Sequence, residues 1–506
     1  MTADMRAAFQ TLATEAVRRG RLTLGRSFRF HRRRGAFCHS GWCQQCKVRL
    51  ADGKTVLACK SPPAEMAQNL IGKGLLRPIG LLAEGFPPWF HEKRLLRPRF
   101  LRQFYLSVLR GLSAALPLPL APSGVKPKKW QEFSTDVLVV GGGLAGMKAA
   151  LLLARSGKTV TLVEAETLGH HARAHAELDR IAADLQAELE RSNVRVMTKT
   201  TCVGLYENVT RAFCVSPAEL SLVGFRQLVV ATGAYDRLLT FRGNDKPGIV
   251  GLRGFERLLA ADAIAPGLRV GLFVAVDHLP RALAALAAAG IKPAWIASPG
   301  AIAAQNCRTL PDVRIRSANG MRKLKAVTFS NGESLGCDLL VLGFSQPSYE
   351  LQLQAGRRIA LDGEAGIIRT QGQSAMPLTV VGEAAGALTP KDALDHAEHA
   401  IGAAGMAEPV VSFATDNPVC PDDRAFLCPC EDVRVSDVKA AITDGFDDIE
   451  LIKRRTGAGT GPCQGKLCHP ALARCLSDAG LDLRLPTMRP LLRPMALAEF
   501  RSEENG

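Results

Sequence analysis

No stretch of this chain runs for 18 or more apolar residues. The nearest, LRVGLFVAVDHLPRALAALAAAG (268–290), is broken by Asp277, His278, Pro280 and Arg281, which argues against a membrane-spanning helix. The basic, apolar and small-residue succession of a secretory leader is missing too, since MTADMRAAFQTLATEAVRRGRL is polar and helix-prone. The expectation is a cytoplasmic chain, with at most peripheral contact at the inner membrane, whose 14 cysteines are reduced or ligated rather than disulfide-bonded. No nucleic-acid module accompanies the net charge of +16, so nucleic acid is not an expected partner. Arginines instead gather in GRSFRFHRRRG (25–35) and EKRLLRPRFLRQF (92–104). These read as a basic docking face, open equally to solvent, an acidic protein partner or an anionic lipid surface. No Ser/His/Asp or Cys/His arrangement asks for nucleophilic catalysis, and no catalytic residue is assigned. His396 and His399, one helical turn apart, read as residues of a helix face. What the chain does have is 506 residues and 47% hydrophobic content, enough for about three globular domains.

Cys38, Cys43, Cys46 and Cys59 in FCHSGWCQQCKVRLADGKTVLAC follow the C-x4-C-x2-C spacing with a distant fourth cysteine. That is the plant-type 2Fe-2S pattern, in which one loop supplies three thiolates and a strand end the fourth. Zinc is the rival, though its four cysteines usually come as two C-x2-C pairs. A Pro- and Arg-rich connector then runs to about residue 132, with apolar stretches such as FYLSVLRGLSAALPLPL expected to lie across the next domain.

From Ser134, TDVLVV reads as a buried parallel strand, GGGLAG as a tight turn, MKAALLLARSG as a helix and KTVTLVEAE as the next strand. Gly141, Gly143 and Gly146 fill G-x-G-x-x-G, for the turn, the approach of a pyrophosphate and helix–strand packing, and Glu164 is placed for a ribose hydroxyl. This motif does not choose FAD over NAD. LVVATGAYDR (228–237), running into Ala231, Thr232 and Gly233, and PLTVVGEAAGALT (377–389), running into Gly382 and Glu383, resemble the two flavin signatures of pyridine nucleotide–disulfide reductase-type flavoproteins. The resemblance implies FAD; it usually places Gly-Asp where this chain has Gly382-Glu383.

Between those signatures, 268–298 has the strand–helix–strand shape of a second nucleotide fold without its phosphate chemistry. Ala275, Val276, Asp277 and His278 stand where glycines are needed, and the following strand ends in Ala297-Ser298 with no acid for a ribose. Asp277 would repel a pyrophosphate at a helix N-terminus, so the fold reads as a structural relic, with NAD(H) binding the minority alternative. Near the C-terminus, Cys428 and Cys430 form C-x-C and Cys463 and Cys468 form C-x4-C. Two such pairs suit a second 2Fe-2S cluster or a tetrahedral zinc. The segment resembles the bacterioferritin-associated ferredoxin-like domain, which implies the cluster. His469 reads as a residue beside the site or at the surface rather than a ligand, and Cys202, Cys214, Cys307, Cys337, Cys420 and Cys475 as single core or surface thiols.

Nearly the whole chain resembles the iron–sulfur flavoprotein subunit of heteromeric amine dehydrogenases, a family that includes opine oxidases, hydrogen cyanide synthase, dye-linked proline dehydrogenases and the large subunit of heterotetrameric sarcosine oxidase. The segments that carry the match are GRSFRFHRRRG, GFPPWFHEKRLLRPRF, NVRVMTKTTCVGLYEN, VVATGAYDR, KRRTGAGTGPCQGKLC and LPTMRPLLRPMAL. The chain looks like A- and B-type subunits fused, and the folate-dependent aminomethyltransferase module of sarcosine oxidase is expected to be absent. Two departures stand out: only 37 residues precede Cys38, so the β-grasp strands are expected to be abbreviated, and LGHHARAH puts His170 and His171 where the family has a glycine-rich turn.

The implied architecture is α/β, a two-dinucleotide-binding-domain flavoprotein flanked by two 2Fe-2S domains. The expected boundaries are a ferredoxin-like domain at 1–62, a connector at 63–132, FAD-binding parts at 133–260 and 346–415, a degenerate NAD-binding-like domain at 261–345, a second cluster domain at 416–485 and a tail at 486–506. The implied role is electron transfer, from a D-amino-acid-oxidase-type flavoprotein subunit that oxidises an amine, through FAD and the clusters, to quinone or another acceptor. An FMN at a subunit interface is left open. A self-contained NAD(P)H-dependent reductase and a redox-sensing or iron-handling protein are the alternatives.

Overall fold

The computed structural model describes residues 9–66, 100–104, 126–402 and 418–503, apart from 28, 53, 65, 102, 363–365, 485, 486 and 496. Most of the connector, with all of FYLSVLRGLSAALPLPL after Phe104 and most of the basic run at 92–104, lies outside the described residues.

The apolar run TDVLVV ends the long strand Lys129–Val140, whose last four residues are buried. Strands this apolar need cover on both faces, which a parallel sheet under helices provides. Arg195–Met197, Val160–Val163, Lys129–Val140 and Glu219–Val230 lie side by side, all parallel. Leu378–Val380 pairs in parallel with the C-terminal half of Glu219–Val230, and the hairpin Thr201–Tyr206/Arg211–Val215 pairs with its N-terminal half. The ends of these strands open into Gly141, Glu164, Ala231 and Gly382, the crevice where open α/β sheets bind ligands. The helices Leu144–Arg155 and Pro390–Gly402 pack against each other over one face.

A second parallel sheet, in the order Ile249–Gly251, Leu339–Gly343, Val270–Val274, Trp295–Ala297 and Arg308–Leu310, is joined to the first by the antiparallel pair Ala234–Asp236 and Ser345–Pro347. Gly271 is required here for packing, since a Cβ on it would fall 2.2 Å from the Trp295 ring.

The N-terminal unit consists of the helix Leu12–Arg18, capped by Thr11, and the hairpins Gly25–Arg26/Arg33–Arg34 and Lys47–Arg49/Thr55–Leu57. Its own core is small, built on residues such as Leu12, Leu24, Val48 and Ala58, and a unit of this size gains little stability alone. Phe37, Cys38 and Cys43 are buried instead in one apolar cluster with Cys428, Cys430, Cys463 and Cys468 and with the second sheet.

This docking revises the expected basic face. Arg32 pairs with Asp245 at 2.9 Å and with the fully buried Asp432 of the C-terminal unit, while Arg34 donates to the carbonyls of Pro429 at 2.7 Å and Cys430 at 2.8 Å. Two arginines of 25–35 thus serve an internal interface, and the counter-charge they share, Asp432, lies some 400 residues along the chain.

The C-terminal unit has the hairpin Phe426–Cys428/Val433–Arg434 and the helices Val435–Thr443, Ile449–Thr456 and His469–Asp478. Gly457, at φ 86°, ends the middle helix and turns the chain toward Cys463. The tail returns to the first sheet, where the Leu492 amide donates to Val203 at 2.8 Å.

Candidate functional site

At the C-terminal ends of the first sheet lies a cavity of about 360 Å³ lined by Gly141, Gly143, Glu164, Thr232, Gly233 and Glu383 among others. Gly141 has φ 110°, and a Cβ there would sit 2.2 Å from the Ala231 carbonyl oxygen. On Gly146 it would lie 1.8 Å from the Gly141 oxygen, so two of the three glycines hold turn and helix against the sheet. Gly143 differs: its Cβ would meet nothing within 4 Å, and it caps the helix Leu144–Arg155 without a side chain. The free amide ends of that helix therefore face the cavity, a cradle for a pyrophosphate.

Glu164 accepts from the Gly142 amide at 2.6 Å and the Glu166 amide at 2.7 Å, and burial raises its carboxyl pKa against those bonds. It fixes the glycine loop at the place assigned to a ribose contact. Thr232 shares a 2.5 Å hydrogen bond with Ser348. Gly382 has φ 68°, and its amide donates to His396 Nδ1 at 3.4 Å, so the helix residue His396 supports the second flavin signature. Glu383 is held by Arg253 at 2.8 Å and Arg281 at 3.3 Å. Burial opposes its charge, yet the two guanidiniums outweigh that and keep its pKa below the ordinary carboxylate value. Arg281 also makes two bonds to Glu256, at 2.5 and 2.6 Å. Both arginines come from helices of the second nucleotide-like fold, a role its sequence pattern did not signal.

His171 lines the cavity, whereas His170 packs against Phe9 at 4.9 Å between ring centres.

The four N-terminal cysteines are buried together. Cys38 hydrogen-bonds with Cys43 and Cys59, Cys59 also with Cys46, and the Ser40 and Cys43 amides donate to Cys38 Sγ at 3.4 and 3.5 Å. At the other end Cys428 contacts Cys430 and Cys468, and Cys430 Sγ lies 3.4 Å from Cys463 Sγ. Among the described residues no group of three or more His, Cys, Asp or Glu side chains is arranged to hold a metal ion. Within each set the thiol contacts run as a chain, Cys43–Cys38–Cys59–Cys46 and Cys463–Cys430–Cys428–Cys468. In the N-terminal domain, four buried thiols, one of which accepts from two backbone N–H groups, are the donor chemistry of a 2Fe-2S cluster. His469 is buried rather than at the surface, its Nδ1 3.1 Å from the Tyr349 hydroxyl.

Three residues that the motifs did not mark join these sites. Trp42, inside the first cysteine loop, packs on Tyr235 at 5.1 Å between ring centres. Tyr235 lines the cavity and donates to Glu350 at 3.0 Å. Lys466, inside the second cysteine loop, also lines the cavity, 3.5 Å from Glu350 and 5.9 Å from the Tyr235 ring centre.

Residues 7–67 match the 2Fe-2S iron-sulfur cluster binding domain, 135–262 the pyridine nucleotide-disulphide oxidoreductase family and 422–498 the sarcosine oxidase A3 domain. The alpha subunit of sarcosine oxidase from Rhizobium meliloti is 26% identical over 98% of this chain and 56% of its own length, so the chain spans about half of that relative. An opine oxidase subunit of the same species is 26% identical over 72% of this chain and 98% of its own, and the HcnB subunit of hydrogen cyanide synthase from Pseudomonas protegens 22% identical over 66% and 90%. The L-proline dehydrogenase of P. horikoshii shares the fold, with a TM-score of 0.65 at 17% identity over 97% of this chain and 94% of that one. Among the described residues no helix is long and apolar enough to cross a membrane. The chain combines a pyridine nucleotide-disulphide oxidoreductase domain with an N-terminal 2Fe-2S domain, and it is similar to the subunits of sarcosine oxidase, opine oxidase and hydrogen cyanide synthase.

Proposed function

We propose that this chain is the electron-transfer subunit of a heteromeric amine or amino-acid dehydrogenase in the cytoplasm. A D-amino-acid-oxidase-type flavoprotein subunit oxidises the amine, and the electrons leave to quinone or another acceptor. The observation that carries this reading is the junction at Tyr235, where the flavin cavity meets Trp42 of one cysteine loop and Lys466 of the other. A protein that only bound nucleotide would have no need to bring both cysteine sets to the same wall.

In this reading Gly141, Gly143 and Gly146 receive the FAD pyrophosphate, Glu164 the ribose, and Ala231, Thr232, Gly233, Gly382 and Glu383 the ribityl end. Cys38, Cys43, Cys46 and Cys59 hold one 2Fe-2S cluster, and Cys428, Cys430, Cys463 and Cys468 a second. Bound FAD exchanges electrons in pairs on one side and singly on the other, which is the chemistry that links an amine oxidation to one-electron clusters. Tyr235 and Trp42 exclude water between cavity and cluster. Arg253 and Arg281 hold Glu383 ionised and fill the face where the second nucleotide-like fold meets the cavity with buried ion pairs. That arrangement, with Trp295 occupying the space beside Gly271, supports the relic reading of that fold over an NAD(H) site. An FMN at the interface with the partner belongs to the same proposal.

The test is anaerobic affinity purification of the tagged chain from its native host, with flavin, iron, sulfide and co-eluting proteins quantified. The reading predicts a stoichiometric amine-oxidising flavoprotein and reduction of this chain's FAD by an amine. A chain that elutes alone with FAD bleached rapidly by NADH would replace it with the self-contained reductase. Substoichiometric flavin that no donor reduces would point to redox sensing or iron handling.

A further inference from the structure

Gln45 stands between Cys43 and Cys46, and it addresses both cysteine sets. Its backbone amide donates to Cys43, and its side-chain Nε2 donates to Cys430 Sγ at 3.1 Å. The same Nε2 reaches the Cys43 carbonyl oxygen at 3.3 Å, and only 8% of the residue is exposed. The sulfur it reaches is held in place from the same side, because Arg34 donates to the Cys430 carbonyl at 2.8 Å and Arg32 to that of Pro429 at 3.1 Å. The N-terminal unit therefore supplies a hydrogen-bond donor to a sulfur of the C-terminal set and fixes the backbone that carries it.

An N–H aimed at a ligand sulfur stabilises the negative charge that a cluster gains on reduction, and so raises its potential. In a dry interior that effect is larger than in water. We propose that Gln45 is the positioning residue that couples the two clusters: its amide raises the potential of the cluster that Cys430 ligates, and its side chain is the bonded bridge along which one electron passes between the sets. With both clusters bound, that step would oxidise the N-terminal one by one electron and reduce the C-terminal one by one, with no bond formed or broken and no proton transferred. This rests on the reading of Cys428, Cys430, Cys463 and Cys468 as a cluster.

The experiment is an anaerobic redox titration of the full-length holoprotein followed by electron paramagnetic resonance, comparing the natural sequence with Gln45→Leu. The expected result is that the C-terminal signal moves down by about 59 mV, a tenfold change in a one-electron equilibrium. The N-terminal signal stays in place, because the backbone donor to Cys43 remains. Two signals with neither midpoint shifted would overturn the coupling role. A single signal in the natural protein would instead sink the assignment of the second cluster, so the two failures are distinguishable. Should Gln45→Leu fail to retain iron, Gln45→Asn keeps an amide but withdraws it from Cys430; an unshifted midpoint there overturns the proposal as well.

Discussion

Replacing Asp432 by alanine should loosen the N-terminal unit from the rest of the molecule. The carboxylate is fully buried, accepts from Arg32 Nε at 2.7 Å, and also accepts from the Arg29 and Phe30 amides at 2.8 and 3.1 Å. Removing one partner of a buried pair typically costs about 3–5 kcal/mol, because the other charge stays buried without its counter-ion. Arg32 keeps Asp245 and its place over the Phe426 ring, which puts the expected loss at the lower end, about 3 kcal/mol. Loss of that size speeds local opening by roughly two orders of magnitude. Hydrogen exchange of the amides of Arg29 and Phe30, and of the segment 428–434, reads this directly. Burial alone would push the Asp432 carboxyl up, but Arg32 and Arg34 hold it below its ordinary value. A depressed carboxylate contributes stability that is present above the unfolded pKa, near ~3.9, and is lost as pH falls through the lower folded value. The natural protein should therefore keep its protection from neutral pH down to about pH 4. Unchanged exchange in Asp432→Ala at neutral pH would refute the clamp.

Gly143→Ala should fold normally and lose flavin affinity, because its methyl enters empty cavity, whereas Gly146→Ala should also lower the melting temperature, since its methyl strikes the Gly141 carbonyl. Flavin absorbance after purification and a melting curve separate the two, and full flavin retention in Gly143→Ala would argue against the pyrophosphate cradle. Burial drives the Asp236 carboxyl up to about 6 against the pull of Arg253. The raised value means that its contribution is fully present below the unfolded pKa and lost as pH rises through about 6. Asp236→Asn should remove that slope, on the order of 2–3 kcal/mol between pH 4 and pH 7, as measured by urea unfolding at both pH values; an identical slope in the variant counts against it. The double substitution of Cys428 and Cys468 by serine should abolish one of two magnetic resonance signals and leave the other, and survival of both would exclude a cluster there.

The glycine turn at Gly141–Gly146 and the cysteine loop at Cys38–Cys46 were legible because their chemistry lies within a few residues of chain. The flavin signatures at Ala231–Gly233 and Gly382–Glu383 were legible as strand ends, and the structure brings them to the same cavity. The meaning of Glu383 was not, because its partners Arg253 and Arg281 sit on two helices of another unit and look like ordinary surface arginines in an amphipathic pattern. The arginines at 25–35 misled for the same reason: local charge density says nothing of a counter-charge far along the chain.

The sequence by itself determined the candidate motifs: a dinucleotide turn with an acid after its second strand, a plant-type cysteine run and a pair of cysteine doublets near the C-terminus. Those follow from short-range spacing, which fixes backbone conformation and donor geometry locally. Only the tertiary structure decided that these motifs are joined. Gln45 reaches Cys430 across 385 residues and Arg32 reaches Asp432 across 400. Contacts of that separation arise because small units with insufficient cores must bury apolar surface against their neighbours. The burial that unites Cys38 and Cys43 with Cys428 and Cys463 in one core is a property of packing, invisible in any window of the chain.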